Sequence, residues 1–482
     1  MVFDVEAADL LIRDLRKKFR DGKTSSYEWR IEQLKLISKL IDESELDIED
    51  ALRKDLCKPQ TESFIHEIAM SKKSVELAIN KLKKWMKPEK VSTSIVTFPS
   101  YAEIIPEPLG VVLIISPWNY PFLLSVDPII GAIAAGNAVV LKPSEVSPAT
   151  SSLLARLLPQ YLDESVVKVI EGNVTETTAL LEQKWDKILY TGNGRVGRIV
   201  MTAAAKHLTP VVLELGGKNP VVVDSNIDLK VAASRIVSGK WACNNGQTCI
   251  APDYIITPRD FAPQLIEALK QILIKFYGRE PLNSMDLSHI VNLNHFQRLT
   301  KLLDDVNVAD KIVLGGQRDE KHLQIAPTIL LDVPRDSLVM KEEIFGPILT
   351  IITVDKVEDS FDLIIQEEKP LTAYLFTNNK ELKEDFVRNI SCGSICINDT
   401  NTQKTNLNLP FGGVGASGMG AYHGKFSFDT FSHNKGVLHR TLFGDVPVRY
   451  PPYKPAKTRL LRAILFGDIM GVVRSIVKWL TR

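Results

Sequence analysis

The apolar positions change their spacing along the chain, and each spacing predicts a different kind of element. Across residues 1 to 88, apolar residues recur three and four apart among charged ones, which predicts several amphipathic helices. Residues 93 to 110, TSIVTFPSYAEIIPEPLG, are β-branched and aromatic residues interrupted by proline. We expect an extended arm or a hairpin there.

Beyond residue 110, short apolar runs alternate with segments of helix length. Runs without polar alternation are typical of parallel strands that are covered on both faces, so the sequence predicts an α/β fold. We expect residues 403 to 420, rich in Gly and Asn, to form a loop. The predicted strands are VVLIIS, AVVLK, VVKVIEG, KILYTG, PVVLELGG, PVVVD, DYIIT, APTILLDV, ILTIITV, LTAYLFT and GSICIN.

The segment ILYTGNGRVGRIV contains the pattern G-x-G-x-x-G, formed by Gly192, Gly194 and Gly197, between a predicted strand and a predicted helix. Such a turn can present backbone N–H groups to a phosphate, but it can equally be a tight strand-to-helix turn. A ribose-binding acid is expected about 20 residues further on, where Glu214 stands. Because Glu214 also ends a strand, it can instead be a general base or a loop-capping acid.

Two of the five cysteines, Cys243 and Cys249, lie in WACNNGQTCIAPDY. A zinc site would need further ligands at suitable spacing, which the sequence does not offer. A buried, inert thiol is the plainest alternative. It suits Cys249 poorly, because small and polar neighbours would expose that thiol and offer backbone donors to an oxyanion.

Composition narrows the classes of function. The chain has 482 residues, 45% of them hydrophobic and 24% charged, with a net charge of +1, so no strong field favours nucleic acid. Five cysteines form no disulfide framework, which favours a reducing compartment. The first residues mix acids and bases and lack the apolar core of a signal peptide. We therefore expect a cytoplasmic protein.

Seven strings together are much more specific than any of these signals alone. With them the chain resembles the aldehyde dehydrogenase superfamily, and most closely its class 3 branch, from about residue 5 to about residue 452. In chain order, the strings are SPWNYPF, GNAVVLKPSE, LYTGN, LELGGKNP, NNGQTCIAPDY, EEIFGP and PFGGVGASGMGAYHGKFSFDTFSH.

The resemblance implies three catalytic roles. Cys249 would be the nucleophile, Glu214 the general base, and Asn119 of PWNYP the side-chain donor to the oxyanion. In the absence of the resemblance, Asn119 could be an ordinary turn residue.

The resemblance also implies a nucleotide cofactor, NAD or NADP, and no metal. Lys142 and Glu145 would meet the adenosine ribose, and Glu343 and Phe345 the nicotinamide ribose. The family commonly has a hydroxyl residue where this chain has Asn193 or Gly194, which leaves the pyrophosphate contacts open. The residues assigned to the cofactor are Trp118, Lys142, Glu145, Gly192, Asn193, Gly197, Glu343 and Phe345.

The architecture implied by the resemblance is a Rossmann-like nucleotide-binding domain, an α/β catalytic domain and a small β oligomerisation arm. The nucleotide-binding domain would cover 1–83 and 104–213, and the catalytic domain 214–410. The arm, 84–103 with 411–440, would bridge a homodimer. The substrates would be medium- or long-chain aliphatic or aromatic aldehydes, with a thiol esterase or a catalytically silent structural protein as the alternatives.

Three further residues carry open interpretations. Tyr120 and Trp241 flank key motifs and can be pocket walls or core residues. His423 is more simply explained as a structural residue, because the implied mechanism has no role for an imidazole.

The last part of the chain, 441–482, would be a tail with an amphipathic helix. Its charges leave no apolar run of about 20 residues, the length that spans a membrane. Such a basic amphipathic helix can lie on a membrane surface, so a peripheral location is one expectation, or it can dock on the protein itself. The predicted apolar face is Leu461, Leu465, Ile469, Val472, Ile476 and Trp479, and the predicted basic face is Arg459, Arg474, Lys478 and Arg482.

Overall fold

The computed structural model describes residues 3–94 and 97–480. Residues 95 and 96 of the predicted arm, residues 481 and 482 of the predicted tail helix, and the side chains of Ile476, Trp479 and Leu480 lie outside the described part. The α-helices are α1 Val5–Arg20, α2 Tyr27–Glu43, α3 Glu45–Leu56, α4 Gln60–Ser63, α5 Ala69–Trp85, α6 Leu123–Ala135, α7 Pro148–Tyr161, α8 Val174–Leu181, α9 Gly194–Ala205, α10 Leu229–Trp241, α11 Ala262–Tyr277, α12 Leu293–Leu303, α13 Leu338–Lys341, α14 Asp359–Ile365, α15 Lys380–Asn389, α16 Gly424–Thr430, α17 Pro455–Leu465 and α18 Ile469–Leu480.

The strands form sheets of six, seven, three and two strands. They are β1 Glu89–Val91, β2 Ser100–Pro108, β3 Val111–Ile115, β4 Ala138–Lys142, β5 Val167–Val169, β6 Lys187–Thr191, β7 Val211–Glu214, β8 Pro220–Val223, β9 Tyr254–Pro258, β10 Ile312–Leu314, β11 Arg318–Asp319, β12 Gln324–Ile325, β13 Thr328–Leu331, β14 Ile348–Val354, β15 Thr372–Phe376, β16 Ser394–Ile397, β17 Gly418–Met419 and β18 Ser432–Arg440.

The six-stranded sheet has the order β17-β7-β6-β3-β4-β5. Its strands run parallel except β17, which pairs antiparallel with β7. Every residue of β3 and β4 is buried, as expected for strands covered on both faces. The predicted α/β pattern is confirmed here. The short strand β17 lies inside the segment predicted as loop, because Gly418, at φ +141°, lets its backbone approach Leu213 closely.

The seven-stranded sheet has the order β10-β13-β14-β9-β8-β15-β16 and is parallel except at its β10 edge. Helices α10 and α11 pack on one face, and Trp241 is fully buried in the core between them and the sheet. The structure therefore places Trp241 in the core.

Five α-helices and a π-helix, Phe64–Ile68, occupy the first 85 residues, as the amphipathic pattern predicted. Each of the first two helices begins at a side-chain cap, Asp4 for α1 and Ser26 for α2. The π-helix interrupts a continuous helical run, and π-helical turns occur frequently at functional sites.

The chain forms two compact units. The first, residues 1–83 and 108–432, contains the six- and seven-stranded sheets. The second, residues 84–107 and 433–482, contains the three-stranded sheet β1-β2-β18, in which Glu103 accepts a hydrogen bond from His439 at 2.8 Å. The roles assigned to the predicted domains, including the intersubunit bridge, stay predictions.

The tail consists of two helices, α17 and α18, packed against each other, and the prediction of a single helix is wrong. The break lies at Gly467, at φ +70°, followed by Asp468, whose side chain accepts a hydrogen bond from the N–H of Gly471. A left-handed glycine ends one helix and an acidic cap begins the next. No helix in the described ranges is long and apolar enough to cross a membrane.

Candidate active site

The carboxyl ends of four parallel strands meet at one edge of the six-stranded sheet. Lys142 ends β4 directly beside Ile115, the last residue of β3, which leads into the Asn119 turn. Thr191 ends β6 directly beside Glu214, the last residue of β7. This edge is where open α/β sheets bind their ligands, so residues far apart in sequence are brought to one site by strand register alone.

Cys249 lies on the loop between α10 and β9. The loop begins with a 3-10 turn, Asn244–Gly246, in which all three residues have positive φ. A side chain at Gly246 would overlap the carbonyl of Gly346, so only glycine fits there. The amide of Asn219 then donates to the carbonyl of Cys249 at 2.8 Å and to that of Ala251 at 3.0 Å, which fixes the position of the thiol.

Cys249 and Glu214 line one cavity, which is partly open to solvent and mostly surrounded by apolar side chains. It lies within the first compact unit. The lining residues are Met70, Ser74, Leu123, Leu124, Asp127, Thr191, Glu214, Leu215, Thr248, Cys249, Ile250, Leu371, Lys404, Leu407, Phe411, Tyr422 and His423.

Burial favours the neutral form of both reactive groups by raising their pKa values. Burial raises the pKa of the Cys249 thiol to about 12, and the nearby carboxyls of Glu343 and Glu214 act in the same direction. Burial alone raises the pKa of Glu214 well above its usual range, and neither of its carboxyl oxygens has a hydrogen-bond partner among the described residues. A buried carboxyl with a raised pKa in a cavity is suited to act as a base near neutral pH.

Asn119 is buried, and its side-chain amide donates to the carbonyl of Gln247 at 3.1 Å. Asn244 donates to the backbone carbonyls of both Asn119 and Gln247, at 2.9 and 3.2 Å. The Asn119 turn and the Cys249 loop are therefore joined directly. An amide has two N–H donors, and one of them suffices for Gln247.

A fully buried ion pair supports the Asn119 turn from the N-terminal helices. The ammonium of Lys58 pairs with Glu67 of the π-helix and donates to the carbonyl of Asn119 at 2.9 Å. The second carboxyl oxygen of Glu67 accepts from the N–H groups of Phe122 and Leu123, at 2.9 and 3.2 Å. The ion pair is therefore hydrogen-bonded to the backbone at both ends of the turn.

A second buried acid holds the Cys249 loop in the same way. Glu62 accepts from the N–H of Asn244 at 2.6 Å and from the hydroxyl of Ser288 at 3.0 Å. Burial raises its pKa to about 7. Sequence reasoning treated residues 58 to 67 as part of amphipathic helices, and no signal in the sequence set Lys58, Glu62 and Glu67 apart from the other charged residues of those helices.

Among the residues predicted to bind the adenosine end of the cofactor, Lys142 is buried, and its ammonium lies 3.3 Å from Glu145, which is exposed. The ammonium also donates to the carbonyl of Pro143 at 2.6 Å. The structure thus places the two side chains together after the end of β4, and their role in cofactor binding stays a prediction.

The glycine-rich turn between β6 and α9 also has structural roles. The side chain of Asn193 caps α9 by accepting from the N–H of Val196 at 3.0 Å. Gly197 is buried against Leu215, where a side chain would be too close, so α9 packs tightly on the sheet. Gly192 donates its N–H to the carbonyl of Glu214 at 3.0 Å. The same turn therefore orients the strand that carries Glu214.

Glu343 and Phe345 lie on the loop between α13 and β14. A side chain at Gly216 would overlap the carboxyl of Glu343, so this glycine lets the acid approach the end of β7. Burial raises the pKa of Glu343 to about 8, with Asp253 acting in the same direction. The ring of Trp118 meets that of Phe345 edge to face at 5.3 Å.

This edge fits a nicotinamide riboside, because it offers buried polar atoms without a partner. One carboxyl oxygen of Glu343, the hydroxyl of Thr191 and both oxygens of Glu214 have no hydrogen-bond partner within the described part of the chain. Ribose hydroxyls and a carboxamide are donors of the kind that such acceptors need. Within residues 3–94 and 97–480, no cluster of three or more His, Cys, Asp or Glu is arranged to hold a metal ion.

Comparison with known proteins identifies the family. The family model described as "Aldehyde dehydrogenase family" matches residues 2–437. Aldehyde dehydrogenase family 3 member H1 of Arabidopsis thaliana is 60% identical over 476 residues, which cover 99% of this chain and 98% of that protein. The chain belongs to the aldehyde dehydrogenase family.

Solved structures agree with this aldehyde dehydrogenase in fold. The "Substrate bound state of Staphylococcus Aureus AldH" has a TM-score of 0.92 and 43% identity, and the match covers 95% of this chain and 99% of that one. Glyceraldehyde-3-phosphate dehydrogenase of Methanocaldococcus jannaschii, complexed with NADP, has a TM-score of 0.81 and 26% identity over 92% and 96% of the two chains. The predicted family, its class 3 branch and the predicted fold class are confirmed, and the enzyme is an NAD(P)-dependent oxidoreductase.

Two other residues that the sequence singled out, Tyr120 and His423, lie in different surroundings. Tyr120 is buried behind the thiol loop, and its hydroxyl lies 2.9 Å from that of Thr248. His423 lines the cavity, where it stacks on Phe411 and lies 3.6 Å from Asp127. Sequence reasoning did not predict that His423 and Asp127 line the cavity, although His423 lies in one of the recognised strings and Asp127 follows another by five residues, because neither string shows which side chains face the cavity.

Proposed function

We propose that this aldehyde dehydrogenase oxidises medium- or long-chain aliphatic or aromatic aldehydes to carboxylic acids through a thioester on Cys249. The observation that carries the proposal is one cavity that holds both Cys249 and Glu214 between mostly apolar walls. Apolar walls favour aldehydes with hydrocarbon chains or rings.

The first step is addition of the Cys249 sulfur to the aldehyde carbon, which gives a thiohemiacetal. The thiol must first lose its proton, since the thiolate is the nucleophile. Glu214 shares the cavity and has two oxygens without partners, so it is the proposed proton acceptor. Because burial raises the pKa of both groups, the reactive ionised forms become more abundant as the pH rises above neutral.

The negative charge that develops on the aldehyde oxygen needs preorganised donors. The second N–H of the Asn119 amide and the backbone N–H of Cys249 are the proposed donors. One such donor contributes about 3 to 4 kcal/mol to transition-state stabilisation. The ion pair of Lys58 and Glu67 holds Asn119 in place, so the donor does not have to reorganise during the reaction.

When bound, NAD or NADP would supply the acceptor for the hydride that leaves the thiohemiacetal carbon. Glu343 and Phe345 are the proposed contacts of the nicotinamide ribose, and Trp118 supports Phe345 from the side. Lys142 and Glu145 are the proposed contacts of the adenosine ribose. The pyrophosphate is proposed to lie against the turn of Gly192, Asn193 and Gly197.

Hydrolysis of the thioester completes the reaction. Once the proton taken from the thiol has passed to solvent, Glu214 takes a proton from water, the hydroxyl oxygen bonds to the acyl carbon, and the carbon–sulfur bond breaks so that Cys249 leaves as the thiolate and the acid forms. Burial among apolar side chains lets the Glu214 carboxylate act as a base stronger than an exposed one.

The quaternary and cellular settings belong to the same proposal. The sheet β1-β2-β18 is the proposed homodimer bridge, and the enzyme is proposed to be cytoplasmic. The pair of helices α17 and α18, here called the tail hairpin, is proposed to contact a membrane surface. The reason is that exposed apolar residues lie beside the cations Arg474 and Lys478. The exposed apolar residues are Leu465, Phe466, Ile469, Met470, Val473 and Val477.

The test is the absorbance of reduced nicotinamide with a series of aliphatic and aromatic aldehydes, each with NAD and with NADP. Formation of reduced cofactor from aldehydes with medium or long hydrocarbon chains or with aromatic rings supports the proposal. Release of acid from thioesters with no reduced cofactor from any aldehyde would instead support a thiol esterase.

A further inference from the structure

Lys404 stands in the wall of the cavity that contains Cys249 and Glu214. It belongs to the 3-10 turn Thr402–Thr405, and only 9% of the residue is exposed. A cation in a largely apolar wall is unusual, because burying an ammonium is costly unless an acceptor or an anion pairs with it.

Within the described part of the chain, no acceptor serves the ammonium of Lys404 through a hydrogen bond or an ion pair. Its contact is the ring of Tyr120, whose centroid lies 5.0 Å from the nitrogen. Asp127, an acid of the same wall, accepts instead from Ser74 and faces His423 at 3.6 Å. Three charged N–H donors therefore remain for a ligand in the cavity.

The position of the ammonium relative to the reacting sulfur follows from the contacts of Tyr120. Its hydroxyl lies 2.9 Å from the hydroxyl of Thr248, the residue before Cys249. The charge of Lys404 is close enough to favour the thiolates of Cys249 and Cys243. Lys404 and the reacting sulfur therefore share one cavity, so a single substrate can meet both, and the chain length that joins its two ends is a quantity that experiment can measure.

We propose that Lys404 is a specificity-determining residue that binds a carboxylate on the substrate, so that the enzyme favours oxo-carboxylic acids over uncharged aldehydes of equal length. This proposal rests on the proposed function, because it concerns the same cavity and the same oxidation. The carboxylate accepts the charge-assisted hydrogen bonds that the protein itself does not provide. The hydrocarbon part of the substrate lies along the apolar walls.

The experiment measures kcat/KM for pairs of equal chain length: butanal with 4-oxobutanoate, hexanal with 6-oxohexanoate, and decanal with 10-oxodecanoate. The variants are Lys404→Met, which removes the charge at similar size, and Lys404→Arg, which keeps it. Lys380→Met is the matched control, because its side chain is 88% exposed on α15. The wild-type ratio of oxo acid to aldehyde is expected to exceed one for at least one pair. That ratio should fall by about 10-fold or more in Lys404→Met, the scale of a hydrogen bond to a charged group.

The ratio should stay within a few-fold of wild type in Lys404→Arg and unchanged in Lys380→Met. Equal ratios in wild type and Lys404→Met would overturn the proposal, as would a wild-type preference for the uncharged aldehyde at every length. An equal fall for both members of each pair would also overturn it and would assign Lys404 to Cys249 instead. If no aldehyde reduces the cofactor in the wild type, it is the proposed function that fails.

Discussion

At the scale of single residues, burial sets the chemistry more than neighbouring charge does. Desolvation is the largest cause of the raised pKa at Cys249, Glu214 and Glu343 alike. Since all three shifts favour the protonated forms, they reduce the repulsion that three neighbouring anions would suffer.

Replacing Cys249 with alanine removes the proposed nucleophile without cutting the backbone contacts of its loop, since Asn219 holds the carbonyl of residue 249. We expect loss of dehydrogenase activity by several orders of magnitude and unchanged binding of NAD or NADP, measured by fluorescence titration. Cys57→Ala, at an exposed cysteine, is the control and should keep full activity. Substantial turnover by Cys249→Ala would remove the thiol from the mechanism.

Replacing Glu214 with glutamine should slow hydrolysis of the thioester more than its formation. A rapid-mixing experiment should show a burst of reduced cofactor followed by a slow steady rate. A loss of cofactor affinity with a normal steady rate would instead support the ribose-binding interpretation of Glu214. Glu164→Gln, at an exposed acid, serves as the control.

The pH dependence of turnover follows from the direction of the Glu214 shift. A base whose pKa is raised loses its proton at a higher pH than an ordinary carboxyl does, so its active fraction grows as the pH rises through that pKa. We expect wild-type kcat to increase from pH 6.5 to pH 9 and the residual rate of Glu214→Gln to increase less. Identical pH profiles of the two proteins would contradict the assignment of Glu214 as base.

At the scale of elements, the N-terminal helices act as a support for two loops that come from elsewhere in the chain. The π-helix Phe64–Ile68 places Glu67 at the start of α6. Helix α4, directly before it, places Glu62 against the Cys249 loop. A fully buried ion pair is strongly destabilising when one partner is removed, because the other charge stays behind without compensation.

Replacing Lys58 with methionine should therefore lower the free energy of unfolding by about 3 to 5 kcal/mol, measured by urea denaturation. It should also lower kcat more than it raises KM, because Asn119 loses its support. The control is Lys72→Met in α5, whose partner Asp42 is mostly exposed, and we expect a change of about 1 kcal/mol or less there. Similar losses of unfolding free energy and of kcat in the two variants would mean that the buried ion pair contributes no more than the exposed one.

At the scale of the whole molecule, the chain forms two compact units that contain different features. The first contains the cavity and both large sheets, and the second contains the three-stranded sheet and the tail hairpin. If the three-stranded sheet bridges two copies, sedimentation equilibrium of the full chain should give twice the mass of 53.8 kDa. A mass of one chain at micromolar concentration would contradict the homodimer.

The tail is expected to make flotation with anionic liposomes possible. Full-length protein should float, and a version ending at Lys457 should not. Ile469→Asp with Val473→Asp should abolish flotation too, since both residues are exposed apolar residues of α18. Val306→Asp, at an exposed apolar residue of the first unit, is the control. Equal behaviour of the full-length and shortened proteins would favour docking of the hairpin on the protein.

The sequence by itself determined what depends on local pattern and on recognisable strings. The spacing of apolar residues predicted the α/β fold. The strings NNGQTCIAPDY and LELGGKNP, through the family resemblance, predicted Cys249 as the nucleophile and Glu214 as the general base. Only the tertiary structure brought Lys58, Glu62 and Glu67 to the site, because those contacts join residues as far apart as Glu62 and Asn244. The same holds for Lys404, an ordinary charged residue in sequence, which becomes a candidate specificity residue because the fold buries it in the wall of the Cys249 cavity, where none of the described residues accepts a hydrogen bond from it.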